Sequence, residues 1–446
     1  MKKITYLILT CLVAVFAGCK KDLKYTEDSN FYPRIFDNGN VFRTPNRIIN
    51  EGQSAVYGGL VFSPKPGEKT KITWKLNGEV VSEDTTYTFT PTGGGQFEIK
   101  LEASYNGQTS TRISNVLVSP TTYTPKTYSY VSMGYLSENG VAASVNWDNV
   151  THIAFNGARV IAGGAVDFSK GNLNQNIDEI VARGHIASTP VLLGVSGTLS
   201  GIDGWALYNS TNFGSVISDP TQRAALVTTL KDYVALHKLD GIDIMMTDVS
   251  NDFYDVSATA IQSITPFLNS LRAELPASAI ITVTGGVSYM HWEYGNLSQA
   301  DWINVHAFED AAVGPGIPRA QPSSYAHFVN AANIWANFRG IPKNKIVLGL
   351  PAFGLRYNAI DANGNNESWG SYDYVPFKNI VAIDAAAASK EFVDSAFGIY
   401  YNGFPLINEK TTFIKDGGYK GAYLWALDYD ADGENSLMAT IHTALQ

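Results

Sequence analysis

Leu239-Asp240-Gly241-Ile242-Asp243-Ile244-Met245-Met246-Thr247-Asp248 is the stretch that decides how this chain folds. A short apolar run, opened by Asp-Gly and closed by Thr-Asp, reads as a buried strand beginning near Gly241. Side chains alternate across a strand, so 243, 245 and 247 share one face while 242, 244 and 246 share the other. Asp248 falls on the opposite face from Thr247 if the strand persists, and a bulge would re-aim it. Asp243 is then either a buried acid satisfied inside the fold or a polar group facing a pocket.

Outward from this strand, short apolar runs alternate with helical stretches from Tyr128 onward. Eight strands are expected, beginning near Tyr130, His152, Pro190, Gly241, Ile280, Trp302, Lys345 and Ala422. Helices are expected between them, for example over Gln222–His237 and Ala258–Leu275. This rhythm over residues 128–446 predicts an α/β fold of the (β/α)8 TIM-barrel type. A doubly wound sheet would share the alternation, but no Gly-x-Gly-x-x-Gly follows the first strand. The segment at about 355–415 is long enough for a partial insertion that forms one wall of a pocket.

The 239–248 string resembles the fourth-strand signature of glycoside hydrolase family 18, the chitinases and endo-β-N-acetylglucosaminidases. Four further pieces resemble the family in order: Val191–Gly197, Ile303–Glu309, Lys345–Gly354 and Gly421–Asp428. The family signature reads Asp-Gly-x-Asp-x-Asp-x-Glu. Laid on this chain, its first two acids are Asp240 and Asp243, its third falls on Met245 and its glutamate on Thr247. The resemblance implies a glutamate that protonates the leaving oxygen and an acid two residues earlier that orients the substrate's acetamide, which acts as nucleophile. Thr247 does not ionise near neutral pH, and losing a positioned acid costs about 10²–10⁴ in rate. Met245 is too weak an acceptor to hold the acetamide. In the sixth strand the family's Met-x-Tyr-Asp becomes His306-Ala307-Phe308-Glu309, and Phe308 lacks the hydroxyl that would bind the acetamide carbonyl. The expected barrel therefore does not hydrolyse by the family's mechanism; if it is active, Asp243, Asp248 or Glu309 must serve.

What the resemblance leaves is a surface for sugar. It places Trp425 at the floor of the sugar pocket, where an aromatic face would stack on a pyranose. Tyr135 ends the first strand, and Trp292 and Trp369 stand in loops after the fifth and seventh. Asp243, Thr247, His306, Phe308 and Glu309 complete the expected ligand-binding set. The expected ligand is an oligosaccharide or glycan. The rival expectations are an active glycosidase using a displaced acid, and a protein-binding or inhibitor-like barrel.

Before the barrel, residues 46–119 read as short strands of a β-sandwich of immunoglobulin type. Ile72, Trp74 and Leu76 alternate, and Asn77-Gly78 supplies a hairpin turn. Gly95–Leu101 resembles the late strands of PKD-like modules. Residues 120–127 read as a linker and 19–45 as a polar tether. Residues 1–18 have the basic start and apolar stretch of a signal peptide. Phe16-Ala17-Gly18-Cys19 resembles a bacterial lipobox, which implies lipid on Cys19, membrane attachment through it, and an outer-membrane lipoprotein exposed at the cell surface, beside a glycan importer or hydrolase.

Composition narrows the remaining classes. The 446 residues carry a formal charge of −9 with no basic block, which argues against nucleic acid as a partner. The two cysteines, Cys11 and Cys19, exclude a disulfide framework and a cysteine zinc site. No cofactor or metal is expected: Asp428–Gly433 starts like a calcium loop, but its twelfth position is Ala439. Ser196 has a glycine directly beside it on one side only, with Val195 before it, which leaves a nucleophile elbow unsupported.

Overall fold

The computed structural model describes residues 32–44, 46–67, 69–197, 199–200, 205–206, 211–246, 258–287, 294–308 and 314–446. The chain divides into a β-rich N-terminal unit and a larger α/β unit. In the first, a five-stranded sheet runs in the order 46–50, 108–119, 95–105, 71–76, 79–82. The Asn77-Gly78 turn joins the last two of these strands with both residues at positive φ, which asparagine and glycine tolerate best. Trp74, Ile99, Leu101 and Ala103 are buried as their alternation requires. One strand lies where a tether was expected: Arg34–Asp37 pairs with Leu60–Ser63. The Asp37 carboxylate accepts from the backbone of Val41 and Phe42, which turns the chain there.

The α/β unit contains eight parallel strands, here β1 (Val131–Leu136), β2 (His152–Val160), β3 (Val191–Ser196), β4 (Gly241–Met246), β5 (Ile280–Gly285), β6 (Trp302–Val305), β7 (Ile346–Pro351) and β8 (Gly421–Trp425). Each begins within one residue of its expected start. Neighbours pair in sequence order, and β8 pairs β1 to close the ring. Closure leaves the ring without a free edge. Helices Leu173–Ile186, Pro220–His237, Ala258–Glu274 and Phe404–Gly417 stand among the connections. The Asp219 side chain caps the second of them by accepting from Thr221 and Gln222 backbone N–H groups.

The strands sort their residues as a period of two demands. Ile153, Phe155, Leu193, Ile242 and Ile244 pack in the outer core between strands and helices. Ala154, Leu192 and Met245 pack in a separate inner core with Tyr135, Trp302, Tyr423 and Trp425. Burying each large apolar side chain contributes roughly 1.5–3 kcal/mol, so a one-residue slip of any strand is prohibited. Acids just ahead of two strands lock the register. Asp240 accepts from the Val191 N–H at 2.8 Å, from the Tyr123 hydroxyl at 2.6 Å, and stands 3.0 Å from His185 Nε2. Asp301 does the same for Ile281 N–H and pairs with Arg272. Tyr123 belongs to the expected linker, and its bond to Asp240 fixes that segment to the foot of the barrel.

The insertion after β7 is a four-stranded antiparallel sheet in the order Tyr372–Pro376, Phe353–Tyr357, Ile399–Tyr401, Phe392–Val393. Lys410, fully buried on the helix before β8, donates to Ser323 O, Ser323 Oγ and Asn402 Oδ1 at 2.6–2.7 Å. Burial pulls its pKa well below the usual lysine value. Among the described residues, no helix is long and apolar enough to cross a membrane.

Candidate functional site

Inside the barrel, β1, β4, β5 and β6 converge on one carboxylate. Asp243 accepts from Thr282 Oγ1 at 2.6 Å, Tyr135 OH at 2.7 Å, Asn304 Nδ2 at 3.1 Å and Thr284 Oγ1 at 3.1 Å. Asn304 also donates to the Tyr135 oxygen at 3.0 Å and accepts from Trp302 Nε1 at 2.9 Å. All six residues are buried. Burial raises the Asp243 pKa, and hydrogen bonds from Thr282, Tyr135, Thr284 and Asn304 pull it back. Burial and the adjacent Asp243 hold Tyr135 far above the usual phenol value, so it stays a hydroxyl. Both oxygens of Asp243 are occupied by protein donors. It is a clamp across four strands, and its lone pairs are already engaged.

Met245 is the next inward residue along β4 and is 2% exposed. It packs with Tyr135, Phe308, Phe353 and Trp425. The Tyr135 and Trp425 rings lie 5.3 Å apart, and the His306 and Phe308 rings 3.8 Å. Trp425, expected as an open sugar platform, is also 2% exposed. The structure thus brings Tyr135, Asp243, Phe308 and Trp425 together in or beside one inner core. Thr247, Asp248, Trp292, Glu309 and Cys19 lie outside the described residues.

The acids that end β8 serve the fold. Asp428 accepts from Ser137 N and Oγ at 2.9 and 2.6 Å, which joins the ends of β8 and β1. Asp430 accepts from the backbone of Ala431, Leu437 and Met438 and from Ser436 Oγ, at the start of helix Leu437–Leu445. These contacts leave the calcium-like string no free carboxylate at 428 or 430.

Sequence reasoning missed Thr282, Thr284 and Asn304. Their signal was a polar period of two on β5, Thr282-Val283-Thr284, and one asparagine two places before His306. It also missed Asn156 on β2. Residues 153 and 155 face the outer core and 154 the inner one, so 156 faces inward. Its amide is fully buried, and among the described residues neither of its polar atoms has a hydrogen-bond partner.

A closed ring of eight parallel strands with a hydrogen-bonded lumen and an antiparallel insertion after β7 defines a (β/α)8 barrel. The family model of glycosyl hydrolases family 18 matches residues 122–430, and the chain belongs to that family. Chitinase 1 of Aphanocladium album is 26% identical over 289 residues, which span 55% of this chain and 64% of that protein. A chitinase-like effector of Moniliophthora perniciosa is 26% identical over 257 residues, 50% of this chain and 54% of that protein. The chain therefore spans less than two thirds of the length of these curated relatives. A chitinase structure from Bacteroides thetaiotaomicron superposes with a TM-score of 0.57 at 23% identity, covering 71% of this chain and 96% of that one. At that identity the likeness shows the fold alone.

Proposed function

We propose that this protein is a non-catalytic glycan-binding member of its family, anchored at the cell surface through lipid on Cys19 and serving to capture oligosaccharides for uptake or degradation. One observation carries the reading: Met245, an apolar thioether, holds the inward place on β4 where the family signature has an acid, and it is packed among aromatic rings. Two features support it. Asp243, the remaining inward acid of β4 within the described residues, is tied up by four side-chain donors. Thr247 stands at the signature's glutamate and carries no ionisable proton near neutral pH. The basic start, apolar stretch and Phe16-Ala17-Gly18-Cys19 motivate the anchor.

The test is a glycan array with the purified mature chain beside a reducing-end assay on the same sugars. Binding without product is the expected result; enzyme-like turnover overturns the reading, and so does an array with no binding. Metabolic labelling with a fatty acid, compared between wild type and Cys19→Ser, tests the anchor. A second reading is an active chitinase or endo-β-N-acetylglucosaminidase using a displaced acid. The chitinase names of several relatives favour it. It requires that product release occurs and stops in Asp248→Asn or Glu309→Gln.

A further inference from the structure

A (β/α)8 barrel ordinarily follows each strand with a helix. Between β5 and β6 the described residues, 286–287 and 294–301, hold none, and an irregular segment takes that place. The segment is braced from two sides. Arg272, on helix Ala258–Glu274, donates from Nη1 to Ala279 O at 2.7 Å and from Nη2 to Gln299 O at 2.9 Å. Gly295 lies so close to the same helix that a Cβ there would stand 2.4 Å from Thr265 Oγ1. From the other side Arg339 Nη2 donates to Tyr294 O and Gly295 O. Arg339 directly follows Ile334–Phe338, a π-helical turn that continues helix Tyr325–Asn333. Wide turns of this kind recur at functional sites.

Under this cover lies a cavity of about 660 Å³. Pockets for small molecules run from roughly 300 to 1,000 Å³ and are mostly apolar with a few placed polar groups. Trp302 and Ile303 begin β6 and Lys345 immediately precedes β7, so the cavity is at the foot of the barrel. The sites of such barrels lie at the other end, where the strands finish. Tyr294, Leu297, Trp302 and Ile303, all buried, give the cavity an apolar wall. Two cations, Arg339 and Lys345, line it as well, and among the described residues no carboxylate does. Asp301, next to Trp302 in the chain, is already paired with Arg272 at 2.8 Å. Arg339 Nε is buried, and among the described residues it has no hydrogen-bond partner. A buried donor left unmet is costly, and a carboxylate is the acceptor that a guanidinium fits best. The braced cover means that the wall is formed before a ligand arrives.

We infer that this cavity is a second small-molecule site, which takes a carboxylate with an apolar body: the carboxylate meets Arg339 and Lys345, and the body packs on Trp302, Leu297 and Ile303. The inference is independent of the glycan-binding reading above and leaves the lumen free for it.

The experiment is isothermal titration of the mature chain with decanoate and with 2-naphthylacetate, an aliphatic and an aromatic probe. Uncharged 1-decanol and cationic decyltrimethylammonium are the controls. Wild type, Arg339→Gln, Lys345→Gln and Ser298→Trp are compared; Ser298 is an exposed residue on the rim, and the added indole fills the cavity. Wild type is expected to bind at least one carboxylate, about tenfold more tightly than either control. Arg339→Gln is expected to weaken that binding about tenfold and Lys345→Gln about threefold, while Ser298→Trp abolishes it. Arg339 also braces Tyr294 and Gly295, so Lys345→Gln and Ser298→Trp, both at exposed positions, decide the matter where Arg339→Gln does not fold. Wild type that binds neither carboxylate overturns the inference. So does binding that Ser298→Trp leaves within about twofold, because the ligand then sits elsewhere. A control that binds as tightly as the carboxylates also overturns it, since the cations would then select nothing.

Discussion

Two tryptophans of the same α/β unit live in opposite environments. Trp425, at the end of β8, is buried against Tyr135 in the inner core that also holds Phe308 and Met245; Trp369, in the insertion, faces water from a hydrogen-bonded loop. The difference separates two situations that a sequence pattern merges. In the lumen, aromatic and polar side chains hold the ring of strands together. In the insertion, an aromatic side chain contributes little to packing and stands in solvent.

The largest test of that division is Trp425→Ala. Removing a fully enclosed indole should destabilise the α/β unit by about 3–5 kcal/mol in urea unfolding. A loss under 1 kcal/mol would mean that the inner core is not structural. Asp243→Ala should come next, at roughly 3 kcal/mol, because it strands the donors of Thr282, Tyr135, Thr284 and Asn304 in a buried place. A pH series sharpens the comparison at the foot of the lumen. His152 is enclosed by the Tyr128 and Trp302 rings, and burial, assisted by Lys420, pulls its pKa down to about 3. The unfolded chain takes up that proton near pH 6.5 and the folded chain does not. The stability contributed by the neutral ring is therefore complete above 6.5 and drains away as pH falls. Wild type should lose about 2 kcal/mol between pH 6.5 and 5 through this group. His152→Gln should show a correspondingly flatter profile, and identical slopes would exclude the effect. Asn156→Leu should stabilise by about 1 kcal/mol, since it removes a buried amide that has no partner among the described residues; a loss of stability would reveal a bond that the amide makes. Smallest is Trp369→Ala, within about 0.5 kcal/mol of wild type by thermal melting. A larger loss would make Trp369 a packing residue and remove the contrast with Trp425.

Much of the barrel was legible because its signal is local. The eight strand starts, and the inward set of Asp243 and Met245, follow from apolar runs and a period of two. The clamp was not legible, because its members meet only when the ring closes. Asp243 lies 39 residues from Thr282, 61 from Asn304 and 108 from Tyr135. Nothing in the neighbourhood of any one of them names the others. The enclosure of Trp425 was hidden for the same reason: its neighbours come from β1, β4 and the segment after β6. Arg34–Asp37 escaped as a strand because four residues among Asp, Asn and Pro carry too little alternation, and only the pairing with Leu60–Ser63 defines them.

The Asp243 clamp also bears on how genomes are read. A carboxylate that ties four strands to one another has a reason to be present whether or not any bond is ever cut nearby. Counting acids in a motif therefore overstates how many barrels are enzymes. A better question to put to each acid is whether its oxygens still have room for a visitor.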